Sequence, residues 1–83
     1  MRVGYREVAK EQLKELPSHL QERIARKILF YASQADPLSF AKPLVGYDVY
    51  RFRVGNYRVI FEVTGKTLTV LLVVKREGAY RNL

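Results

Sequence analysis

Apolar residues recur along this chain with two different periods, and the change of period marks its elements. Val3 and Tyr5 alternate with polar neighbours, which predicts a short strand over residues 1–6. From Glu7 the spacing becomes helical: Val8, Ala9, Leu13 and Leu16 fall on one side, with Lys10, Glu11, Lys14 and Glu15 on the other. Pro17 closes this helix. Ser18, followed three residues later by Gln21, has the pattern of a capping box and starts a second helix at once. Leu20, Ile24, Ile28 and Tyr31 form its apolar stripe, which Ala25, Leu29, Ala32 and Ala35 widen into a face that must be buried, and Asp36-Pro37 ends it.

Residues 38–47 lack a clear period and hold Pro43 and Gly46, so they predict a surface connection with Phe40, Leu44 and Val45 tucked beneath it. Strict alternation then runs from Tyr50 to Val63 on both sides of Gly55-Asn56, a pair suited to the positive φ angles of a two-residue hairpin loop. Thr64-Gly65-Lys66 is a second turn, and the aliphatic and β-branched run from Thr67 to Val74 predicts an interior strand. The expected fold is α+β, in the order β-α-α-β-β-β, a single domain over residues 1–83. Its two-helix hairpin packs on one face of a small, mainly antiparallel sheet and leaves the opposite face largely open.

The hairpin has a chemical consequence. With Tyr50, Phe52 and Val54 turned to the core, Arg51 and Arg53 stand together on the other face. On the return strand Tyr57, Val59, Phe61 and Val63 face the core, so that Arg58, with Ile60 and Glu62, joins the two arginines. Like charges gathered on one sheet face cost stability unless an anion neutralises them.

Charge placement sharpens this picture. Residues 1–50 hold eight Lys or Arg against six Asp or Glu, a net of +2, whereas residues 51–83 hold seven against two, a net of +5. A small basic domain with its excess on a few strands suits a polyanion, nucleic acid above all, and suits an acidic protein partner equally. The absence of cysteine excludes disulfides and thiolate chemistry, and a single histidine supplies no ligand set for a dedicated transition metal. No cofactor is expected. The longest apolar run, Leu68 to Val74 interrupted by Thr69, is far too short to span a bilayer, and the expected location is the cytoplasm.

The end of the last strand is expected to bring Lys75, Arg76 and Tyr80 towards the arginine face. Guanidinium groups grip phosphate bidentately and a tyrosine ring stacks on an unpaired base, so this set suits single-stranded RNA. Arginines on the solvent face of a strand are also ordinary surface. His19 at the start of the second helix reads as solvated or capping, and Glu62 and Glu77 read as charge-balancing partners. No phosphate-binding glycine loop and no Ser/His/Asp set is present.

The order of elements, Pro43-Leu44-Val45-Gly46, the run from Tyr50 to Val63, and the ending Lys75-Arg76-Glu77 with Tyr80 resemble the RelE/ParE superfamily of toxin-antitoxin toxins. The resemblance covers essentially the whole chain. Its most specific pieces are the hairpin Arg53-Val54-Gly55-Asn56-Tyr57-Arg58-Val59 and the Lys-Arg-x-x-x-Tyr ending. RelE-like members are endoribonucleases that enter the ribosomal A site and cut mRNA there. The resemblance thus implies attack by a ribose 2′ oxygen on its own 3′ phosphate, without a metal.

Carried across on matching positions, Arg58 contacts the scissile phosphate, Arg76 is the general acid to the leaving 5′ oxygen, and Tyr80 stacks on the mRNA at the cut. Arg51 and Arg53 fall where many RelE-like toxins have lysines, one of them proposed as general base. Because arginine stays protonated at physiological pH, the base is left open here and electrostatic alignment is expected to dominate. The RNA-binding set is Arg51, Arg53, Arg58, Lys75, Arg76, Tyr80 and Arg81. The partners implied are a RelB-type antitoxin, the ribosome and mRNA, with no membrane and no small-molecule cofactor. The absence of a C-terminal histidine favours the RelE branch. The alternatives are a ParE-like inhibitor of DNA gyrase and a non-toxic binding module on the same fold.

Overall fold

The computed structural model describes residues 1–36, 41–43 and 49–75. They form β1 (Arg2–Tyr5), α1 (Glu7–Lys14), α2 (Ser18–Ser33), β2 (Lys42–Pro43), β3 (Tyr50–Val54), β4 (Tyr57–Thr64) and β5 (Thr67–Lys75). The strands make one sheet in the order β1-β5-β4-β3-β2, with β1 parallel to β5 and the remaining pairs antiparallel. Both helices pack on one face of it, as the period change predicts. The two-residue β2, within the stretch expected to be a plain connection, is the addition. Pro43 is tolerated there because β2 lies at the sheet edge.

Each tight turn depends on one glycine. Gly55 has φ +57° and Gly65 φ +60°, and no other described residue has a positive φ. Asn56 therefore does not share the left-handed region with Gly55. A two-residue loop with glycine alone at its first position has the handedness that matches strand twist, and Val54 opposite Tyr57 becomes the last pair of the hairpin.

Between sheet and helices lies one core. Ile24, Ile28, Tyr31 and Ala32 of α2 and Ala9 of α1 meet Phe52, Val54, Val59, Phe61, Leu68, Val70 and Val73 from the strands. Tyr31 is its aromatic centre, with ring centroids 4.8 Å from Phe52 and 5.9 Å from Phe61, and Tyr50 lies 6.1 Å beyond Phe61. The helical stripe is narrower than its pattern: Val8 and Leu29 are 48% and 60% exposed, and α2 stops at Ser33, leaving Ala35 outside it and exposed. The capping box is not formed either. Pro17 occupies the N-cap without a side-chain bond, and Gln21 Nε2 instead donates to the Leu16 carbonyl at 2.7 Å, tying α2 to the end of α1.

The opposite sheet face is less open than alternation suggests, because Ile60 on it is completely buried. A β-bulge also divides β5. Phe61 pairs with Val70 but Ile60 pairs with Leu72, so Leu71 is the extra residue and the strand's parity reverses there. Leu68 and Val70 face the helices before it, and Val73 after it. β1 ends opposite Val70, and beyond that point the Val73 N–H donates to Gln12 Oε1 of α1 at 2.7 Å. A helix side chain thus supplies the ladder partner that β1 is too short to give.

Two outcomes follow. Gln12→Ala strands the half-buried Val73 N–H and lowers unfolding free energy by about 1–3 kcal/mol, read from the urea midpoint at unchanged slope. Burial pushes the Tyr5 and Tyr31 phenols above the ordinary tyrosine range. The unfolded phenols then ionise first, so their contribution is intact below pH ~10 and is lost as pH rises through the folded values. Urea midpoints should fall through that window, and Tyr31→Phe should make the fall shallower.

Candidate functional site

Register decides which cations meet. Cross-strand partners share a face, so one row across the open face reads Lys42, Arg51, Ile60, Leu72 and the next Arg53, Arg58, Val74. The first row has its cations on β2 and β3 and the second on β3 and β4, with aliphatic side chains beyond them in both. Arg51, Arg53 and Arg58 are brought together as the alternation predicts.

Arg53 and Arg58 are as close as strand pairing permits. The Arg53 carbonyl accepts a hydrogen bond from Lys27 Nζ at 3.0 Å, so it points away from β4. A residue's N–H and C=O point to the same side of a strand, which makes Arg53 and Arg58 a non-hydrogen-bonded pair. Such pairs hold their Cα atoms about 4.5 Å apart and their side chains closest. Arg58 is half-buried with its Nε enclosed, which limits the directions its guanidinium can take, while Arg53 is exposed.

These side chains line a shallow cavity of about 280 Å³, completed by Lys27, Tyr31, Lys42 and Phe52. It wraps the edge of β3, with Lys42 and the arginines on one side and the α2 residues on the other. Lys27 Nζ also stands 5.5 Å from the Phe52 ring centroid, a cation-π contact that holds the ammonium at the seam between helix and sheet. Concentrated positive charge beside low-dielectric aromatic walls draws and orients an anion such as phosphate.

Lys75 does not extend this face. It pairs with Tyr57 and therefore shares the helix side of the sheet, because the bulge at Leu71 reverses the parity that would have placed it beside Arg58. Arg76, Glu77, Tyr80 and Arg81 lie outside the described residues. His19 is exposed at the start of α2, and Glu62, opposite Thr69, is not among the cavity residues. The residues that sequence reasoning missed are Lys27, Lys42 and Tyr31. Lys27 precedes Tyr31 by one helical turn, and a cation beside the apolar stripe was the available signal. Lys42 carried none. Among the described residues, no three His, Cys, Asp or Glu side chains gather as a metal-binding group, and no helix is long and apolar enough to cross a membrane.

The family described as the ParE toxin of the type II toxin-antitoxin system parDE matches residues 3–80. Toxin RelE3 of Methanocaldococcus jannaschii is 33% identical over 85 residues, spanning 96% of each chain. The RelB-RelE antitoxin-toxin complex from Methanococcus jannaschii contains a chain similar at TM-score 0.77 and 29% identity, with 96% of this chain and 98% of that one covered. In the archaeal RelE-RelB complex from Pyrococcus horikoshii a chain is similar at TM-score 0.72 and 26% identity, covering 90% and 93%. The isolated RelE toxin of E. coli, at 19% identity and TM-score 0.76, shares the fold over 99% of this chain and 98% of its own. With its two helices on a mixed five-stranded sheet and its arginine-bearing hairpin, the chain belongs to the RelE/ParE superfamily and is a RelE-like toxin of a type II toxin-antitoxin system.

Proposed function

We propose that this chain is an endoribonuclease that cuts mRNA in the ribosomal A site. The observation that carries the reading is the gathering of Arg51, Arg53 and Arg58 with Lys27 and Lys42 around one cavity at the edge of the sheet. In the proposed reaction the ribose 2′ oxygen attacks its own 3′ phosphate in line. A bond from phosphorus to the 2′ oxygen forms, the bond to the 5′ oxygen breaks, and the products are a cyclic phosphate and a free 5′ hydroxyl. The 2′ proton passes to solvent, since the protonated arginines cannot accept it, and Arg76 gives a proton to the departing 5′ oxygen and regains one from water. Arg58 neutralises the charge that builds on the phosphoryl oxygens, Arg51 and Arg53 hold the flanking backbone, and Tyr80 stacks on the message. Arg76 and Arg81 add to the RNA-binding set, which Lys75, on the helix side of the sheet, does not join.

A shallow cavity lined mostly by cations attracts phosphate but offers few groups to orient a base. Alignment must come from elsewhere, and a message already held in the A site supplies it. The proposed activity therefore depends on the ribosome, and the cytoplasm is its proposed location. No step in this scheme uses a metal. The RelE chains in the similar archaeal structures are complexed with RelB, and we assign this chain a RelB-type antitoxin. An acidic segment of it would neutralise the arginine face, and its apolar face would cover the exposed Val8, Leu29 and Phe30.

A second reading, inhibition of DNA gyrase, draws on the ParE description of the matching family. Primer extension on a defined message with programmed ribosomes separates the two. Cuts within the A-site codon are expected only when ribosomes are present, and Arg58→Ala should slow them by about 100- to 1,000-fold, the usual loss when a transition-state donor is removed. Intact message, with toxicity surviving both Arg58→Ala and Arg76→Ala and supercoiling blocked, would hand the function to the gyrase reading. A site built for an anion also costs stability when empty. Arg53→Thr relieves the like-charge pair with Arg58, so it should stabilise the free protein by about 0.2–1 kcal/mol at low salt and by less at high salt.

A further inference from the structure

A second cavity of about 300 Å³ lies beside the first and is lined by Arg23, Arg26, Lys27, Arg53 and Val54. Lys27 and Arg53 line both cavities, so the two adjoin at these side chains. The route between them passes over the edge of β3. There β2 pairs only with Tyr50 and Arg51, and among the described residues no strand pairs with Phe52 to Val54 on that side. Lys27 bridges this gap, donating from α2 to the Arg53 carbonyl at 3.0 Å. Arg23, Arg26 and Lys27 fall at i, i+3 and i+4, which sets them on one face of α2 about 5–6 Å apart at Cβ. Arg26 has an exposed ion pair with Glu22 at 3.4 Å, a contact of little strength that a phosphate can displace.

We propose that Arg23 and Arg26, with Lys27 and Arg53, form a second RNA phosphate subsite on α2, next to the arginine cavity at the edge of β3. The inference rests on the endoribonuclease reading and adds to it a path. Phosphate held at Arg58 marks one end, and the backbone continues past Arg53 and Lys27 onto the helix. Among the described residues no strand crosses this path. The phosphates come either from the message itself or from the ribosomal RNA around it, and the chemistry of recognition is the same.

The test compares the full chain with Arg23→Gln/Arg26→Gln and with Lys10→Gln/Lys14→Gln, which removes the same charge from α1. Binding is measured over a salt series to message-length oligoribonucleotides and to ribosomes with and without message. For wild type and the α1 variant, affinities should be nearly equal. The α2 variant should lose on the order of tenfold at low salt, and its log-log salt slope should shrink by about 1.4, two phosphate contacts at about 0.7 each on a single strand. Loss on free oligonucleotides identifies the message as the source, and loss on ribosomes regardless of message identifies ribosomal RNA. Equal losses in the α1 and α2 variants would reduce the effect to net charge and overturn the subsite. So would α2 affinity that is unchanged for RNA but lowered for a polyglutamate peptide, which would assign the cavity to an acidic protein segment. A wild-type chain that cuts programmed message while the α2 variant binds normally leaves the endoribonuclease standing and removes only the subsite. A wild-type chain that neither binds RNA nor cuts removes both.

Discussion

The pairing of β3 with β4 is the constraint on which the rest of this molecule depends. Side chains alternate along each strand, so the register that sets Phe52 beside Val59 must also set Arg53 beside Arg58. One face supplies the attraction and the other carries the repulsion. Tyr31, Phe52 and Phe61 pack around a common centre, and aromatic pairs of this kind add about 0.5–1.5 kcal/mol each beyond the area they bury. The like-charge pair behind them costs a comparable or smaller amount in water. The hairpin can therefore hold two guanidinium groups at the closest spacing a sheet offers and still be folded before any anion arrives. Gly55 contributes by closing the loop in two residues, with no slack through which the register could slip.

Edges matter as much as faces. On one side of the sheet β1 ends early, and Gln12 completes the hydrogen bonding of β5 at the bulge. On the other side β2 ends early, and Lys27 takes the carbonyl that a longer strand would have used. In both places a helix side chain substitutes for a strand. The substitution at β5 is internal and structural, whereas the one at β3 leaves an ammonium group at the mouth of the arginine cavity. A cation that anchors the helix to the sheet thereby also contributes to the field that meets an anion. Using helix side chains at both edges lets an 83-residue chain carry a core and a charged site while, among the described residues, no polar or charged side chain is fully buried.

Much of this was legible in the residues themselves. Change of hydrophobic period located both helices and four of the strands, since burial of one face demands a repeat that matches backbone geometry. The same alternation put Arg51, Arg53 and Arg58 on one side, and the hairpin motif with the Lys-Arg ending pointed to the RelE/ParE superfamily. Two-residue β2 escaped because so short a strand has no period to read. Leu29 and Val8 were assigned to buried faces because apolar character shows what a side chain tolerates, whereas exposure depends on how wide a strip the neighbouring layer covers.

Sequence alone thus determined the local quantities: helix or strand, the turn at Gly55, the side of the hairpin on which each arginine stands, and the family. All follow from interactions between residues near one another in the chain, or from a motif they spell. Tertiary structure alone decided that Leu71 is extruded as a bulge, so that Lys75 turns away from Arg58, and that Lys27, from 26 residues away, reaches the Arg53 carbonyl. Those outcomes depend on how strands of unequal length meet and which helix lies over the gap. Neither is recorded in the spacing of any one segment, because the energy that selects them is shared among residues that become neighbours only when the chain folds.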